Sequence, residues 1–169
     1  MKTVMEKKIT KKKPVRKKTT SKRAILLSPY RKISNNDKPS EVTDRYWLEA
    51  FRKKGHYRNK TVNSGKWLVF VKVEELDETW ERIKKATEDG KLGDRSKTGT
   101  MKPNPHAKSR AKVICVYTYD WTDKADVKRI REGLRKLGIT GKIPYKADED
   151  TFSGKYAIRG DTKIAKYFE

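Results

Sequence analysis

Apolar residues fall into short, separated runs after about residue 40, and the period within each run sets the element it predicts. Val42 to Lys54 carries Trp47, Leu48 and Phe51, with Gly55 as a stop, and that spacing predicts a first helix. Trp67-Leu68-Val69-Phe70-Val71 is a run of β-formers and predicts a central strand. Leu76, Trp80, Ile83 and Thr87 sit at helical spacing behind a cluster of acids and ahead of Gly90, which predicts a second helix. Lys91 to Arg110 holds Gly93, Gly99, Pro103 and Pro105, so a short edge strand and a long basic loop are expected there. Lys112 to Tyr119 is the second strong strand, and Asp120 to Asp123 supplies a turn and an N-cap. Val127, Ile130, Leu134 and Leu137 then mark one helical face that Gly138 closes, and Ile143 to Lys146 forms a further strand. After the first helix the order is strand, helix, strand, strand, helix, strand. That order predicts an α+β fold with helices on one face of a mainly antiparallel sheet.

The N-terminal quarter follows no such pattern. Residues 1–23 are Lys, Thr and Arg with almost nothing to build a core, so they are expected to form a disordered basic arm. Residues 24–40, with Pro29, Asn35, Asn36, Asp37 and Pro39, read as a linker, and 41–169 as a single domain.

Charge changes the picture more than composition does. Hydrophobic residues make up 34% of the chain and charged ones 39%, against an ordinary charged share of about 25%. The formal charge is +22 and the pI about 10.0, which attracts phosphate-rich partners. Nine Lys and two Arg face a single acid, Glu6, in the first 23 residues, yet the remainder is still +12. Attraction to a polyanion therefore belongs to the whole molecule. Nucleic acid, RNA before DNA, is the expected partner; a membrane is not, because no apolar run is long enough to cross one. The basic N-terminus lacks a signal-peptide core, which predicts an intracellular, cytoplasmic protein, or a nuclear one in a eukaryote.

The chemistry of specific residues narrows this further. The only cysteine, Cys115, lies in an apolar run and reads as a buried hydrophobe. No Gly-rich phosphate loop, metal-ligating His pair or G-x-S-x-G elbow occurs, so neither metal nor cofactor is expected. Asp148, Glu149 and Asp150 read as solvated loop charge. For phosphate contacts the arm offers Lys11, Lys12, Lys13, Arg16, Lys17, Lys18, Lys22 and Arg23. The domain adds Arg58, Lys108, Arg110, Lys112, Lys146 and Lys155. Lys108, Arg110 and Lys112 alternate, so on a strand extension they would share one face as a phosphate clamp, or form a solvated basic edge. Tyr57, Trp121, Tyr145 and Tyr156 lie among basic residues and are the candidates for base stacking. Trp47, Trp67 and Trp80 fall within apolar periodicity and are expected in the core, leaving Trp121 as the exposed tryptophan.

Several segments together resemble a known family. They are Gly65 to Phe70, the helix around Leu76 to Gly93, Val113 to Thr118 with Asp123 to Val127, and Tyr145-Lys146 followed by Gly154-Lys155-Tyr156. The set is similar to the basophilic-leukaemia-expressed protein family, whose members carry a phosphothreonine-lyase label. That family in turn resembles the cap-binding translation initiation factors, which implies a curved antiparallel sheet backed by helices. In those factors two tryptophans sandwich the methylated guanine; a gapless offset from Trp67 puts His56 and Tyr57 where one sandwich tryptophan and its carboxylate neighbour would fall. Lys112 corresponds to the phosphate side. The lyase label implies a lysine base and a histidine acid, and His106 with Lys108 supplies those types in one loop. Three readings stay open: a non-enzymatic RNA-binding or ribonucleoprotein component, with ribosome association as one setting in the manner of other proteins with Lys-rich arms; a phosphothreonine-lyase-like enzyme; and a cap- or nucleotide-binding module.

Overall fold

A computed structural model of the chain describes residues 37–105, 109–154 and 165–169. The arm and most of the linker lie outside the described residues, as do His106, Lys108, Lys155 and Tyr156. The elements are β1 (Trp47–Phe51), β2 (Gly65–Val71), α1 (Val73–Glu88), β3 (Arg95–Gly99), β4 (Lys112–Thr118), α2 (Lys124–Lys136), β5 (Pro144–Ala147), α3 (Asp148–Phe152) and β6 (Tyr167–Phe168). The strands form one sheet in the order β1-β3-β4-β2-β5-β6, with every pair antiparallel. This is the α+β architecture expected from the periodicity.

Strand alternation divides the sheet into two faces of different chemistry. Leu48, Ala50, Trp67, Val69, Val71, Ile114 and Val116 are buried on one face, against Leu76, Trp80 and Ile83 of α1 and Val127, Ile130 and Leu134 of α2. The Trp67 indole N–H donates to the Val127 carbonyl, and Thr87 of α1 hydrogen-bonds Ser96 of β3, so both long helices lie on that face. Their ends are set locally: Asp123 caps α2 by accepting from the Asp126 amide, and Gly90 and Gly138 end the two helices at φ +78° and +89°.

Three expectations fail here. The segment expected as a first helix contains β1, because Leu48 and Ala50 are buried while Trp47, Glu49 and Phe51 are exposed, a period of two. The strand expected at an edge, β3, is interior, because β1 folds over and pairs with it. Asp148 to Asp150 are not solvated loop charge either: they begin α3, with Asp150 buried and Asp148 paired to Lys66.

Candidate nucleic-acid interface

The second face of the sheet carries the unusual chemistry. Among the described residues no long helix crosses it; α3 meets its upper rim, where the Lys66 ammonium donates to Asp148 and Thr151. The registers place its side chains in three rows. The upper row runs Phe51, Arg95, Tyr117, Lys66 and Lys146; the middle row Glu49, Lys97, Cys115 and Leu68; the lower row Trp47, Gly99, Val113 and Phe70.

Cations and rings interleave across these rows. The Arg95 guanidinium sits 4.2 Å from the centre of the Tyr117 ring, with Lys66 at 5.5 Å and Lys97 at 5.9 Å. Lys97 also lies 4.1 Å from the centre of the Trp47 ring, and just outside the rows Lys102 lies 4.5 Å from that of Tyr46. Each such contact contributes about 0.5–2 kcal/mol depending on desolvation. Glu49 answers only part of this charge, reaching Arg95 at 3.5 Å. Burial lowers the Lys97 pKa, and the neighbouring Lys66 and Arg95 charges push it the same way. Burial also pushes the Cys115 thiol up to about 11 and the Tyr117 hydroxyl well above its ordinary range, so both stay protonated near neutral pH. Trp47, Phe51 and Phe70 remain 40%, 54% and 61% exposed.

A cleft of about 520 Å³ opens at the upper end of the molecule, between the β1–β2 loop and the start of α2. Arg52, His56, Tyr57, Arg58, Tyr119, Asp123, Asp126 and Arg129 contribute to its wall, and they largely satisfy one another. Tyr57 donates to Asp126, Arg58 to Tyr119, Tyr119 to Asp123, and Arg52 to three backbone carbonyls. Burial and the Asp126 hydrogen bond raise the Tyr57 hydroxyl pKa; the Tyr119 hydrogen bond lowers that of Asp123.

The residues proposed from sequence are scattered by the fold. Tyr145 is fully buried, its ring edge-on to Trp67 and Tyr167 and its hydroxyl on Thr118, so it presents no face to a base. Lys146 is buried too. Trp121 is half-buried against the core with Lys166 at 4.5 Å from its ring, and the exposed tryptophan is Trp47, while Trp67 and Trp80 are in the core as expected. Tyr57 has guanidinium groups at 5.0 and 5.8 Å from its ring centre. Among the described residues β4 begins at Lys112 and residues 109–110 form a bend, so Arg110 does not continue the strand beside Lys112, while Lys108 lies outside the described residues. Lys112 pairs with Val71 at the lower end, whereas Arg58 belongs to the upper cleft, a full length of β2 away. Arg95, Lys97, Lys66, Tyr117 and Phe70 were not singled out. The alternation Arg95-Ser96-Lys97-Thr98 was the available signal: small hydroxyls inward, cations outward.

Residues 55–152 match the family model described as Basophilic leukemia-expressed protein Bles03. Among solved structures, the fold is similar to a schistosome eIF4E complexed with m7GpppA and 4E-BP, at TM-score 0.57 and 19% identity over 80% of this chain and 76% of that one. It is also similar to C. elegans eIF4E-3 with the 4E-binding protein Mextli and a cap analog, at TM-score 0.50 and 19% identity over 73% and 68%. At these identities the likeness establishes the sheet-and-helix architecture.

Proposed function

Since the chain belongs to the basophilic leukemia-expressed protein Bles03 family, with an eIF4E-like fold, we propose that it is a nucleic-acid-binding module with RNA as the favoured partner. The observation that carries this reading is the row of cations set among rings on the sheet face that the long helices leave free. Cations there can neutralise phosphates, and the exposed rings beside them, Trp47, Phe51 and Phe70, can accept bases, the combination a nucleic acid needs; Tyr117 itself is buried beneath the cations. Support for RNA comes from the fold, since the similar eIF4E structures hold cap nucleotides. A ribonucleoprotein particle is the proposed setting.

The test is the salt dependence of RNA binding by the full chain and by the double variant Arg95→Gln, Lys97→Gln. If both cations contact phosphate, the slope of log affinity against log salt falls by about 1.4, at roughly 0.7 per phosphate for a single strand. An unchanged slope would remove this face from the phosphate contacts. The second reading, a cap- or nucleotide-binding module, is favoured by the same fold together with the exposed Trp47. Saturable quenching of tryptophan emission by m7GpppG, without binding of longer RNA, would put it first.

A further inference from the structure

Resting on the nucleic-acid reading, we propose that the lower row of the open face is a stacking site for unpaired bases, which makes single-stranded RNA the ligand. Trp47 and Phe70 stand at the two ends of this row, three strand spacings or about 14 Å apart. Between them lie Gly99, which has no side chain, and Val113, which is half-buried. The result is a shallow trough between two partly exposed rings, with Gly99 itself buried beneath the edge of the indole. A Cβ on Gly99 would meet the Trp47 ring at 3.9 Å and the Val113 carbonyl oxygen at 3.7 Å, so the floor there is formed by backbone and the indole itself.

The charge around the trough suits a polyanion. Lys97 sits over the Trp47 ring, 4.1 Å from its centre, and Lys102 beside Tyr46, itself 46% exposed, flanks the same end. Arg110, exposed, precedes β4 at this end, whereas Lys112 pairs with Val71 and falls on the helix-covered side of the strand alternation. A base pair in a duplex hides its faces in the stack, whereas an unpaired base presents them; rings projecting from a sheet surface are the usual platform for that purpose. A basic surface alone would hold a duplex equally well, so the aromatic row decides for the single strand.

The experiment uses the full chain with labelled oligo(U) and a blunt RNA duplex of equal length, followed by fluorescence anisotropy. Trp47→Ala with Phe70→Ala is expected to weaken oligo(U) binding by about tenfold to a hundredfold, from stacking of about 1–3 kcal/mol per base. Duplex binding should stay within about twofold, and Trp47→Phe should restore most of the loss. Equal losses on both ligands, or none on oligo(U), would overturn the stacking site while leaving the nucleic-acid reading intact. Absence of RNA binding by the unaltered chain would overturn both, and self-association abolished by Trp47→Ala would assign the trough to a second copy. If the double variant fails to fold, Phe70→Ala alone, at a side chain more than half exposed, answers the same question.

Discussion

Lys66 shows how one residue on the open face is held by groups far away in sequence. Its ammonium is 2.5 Å from Asp148 and 3.1 Å from the Thr151 hydroxyl, while Ser64 donates to the other Asp148 oxygen at 2.8 Å. Both charged side chains are about nine-tenths buried. Removing one partner strands the other charge in a poorly solvated place, whereas removing both does not. Asp148→Ala is therefore expected to lower stability by about 3–5 kcal/mol, and Lys66→Met with Asp148→Leu by clearly less, as measured by urea denaturation. A double variant as damaged as the single one would mean that the pair stabilises the fold in its own right. The sequence contained both residues but not their meeting, because a contact across 82 positions leaves no local pattern. Tyr145 and Lys146 illustrate the opposite trap. Adjacent strand residues point to opposite faces, so an aromatic beside a lysine in sequence cannot form one surface patch.

At the level of elements, the local signals were strongest where a single period persisted. Both long helices and strands β2 and β4 were legible because their apolar positions repeat without interruption and glycines punctuate their ends. β1 was not, because Trp47, Leu48 and Phe51 satisfy a helical spacing as well as a strand, and only pairing with β3 decides between them. The same pairing makes β3 interior and turns its charged alternation into the floor of the candidate interface. The connection from α1 into β3 depends on a close approach that was invisible beforehand. A Cβ on Gly93 would lie 1.9 Å from the Tyr117 carbonyl oxygen, a backbone atom that cannot swing aside. Gly93→Ala is expected to cost roughly 1–3 kcal/mol or more by forcing β3 and β4 apart. A thermal melt unchanged by that substitution would show that the backbone there yields freely. If the strands do shift, Arg95 moves off the Tyr117 ring, and RNA affinity should fall with stability.

For the whole molecule the question is how +22 is divided between attraction and discrimination. Residues 1–23 hold ten of those units and the rest of the chain twelve. On the proposed function, cations on a segment with no aromatic residues would contact phosphates alone, so they would add affinity without reading base sequence. If about six of them engage, affinity falls by about three decades between about 50 and 200 mM salt. A chain beginning at Ala24 should bind more weakly and with a shallower salt slope. The stacking site on the sheet predicts something further about that truncated chain. Phosphates are denser on a duplex than on a single strand, so the basic segment favours the duplex, whereas Trp47 and Phe70 favour unpaired bases. Truncation should then reduce affinity for both ligands but raise the ratio of single-strand to duplex binding, measured by competition at constant salt. A ratio that falls instead would place the discrimination in the first 23 residues, and the sheet face would be left as a phosphate surface only.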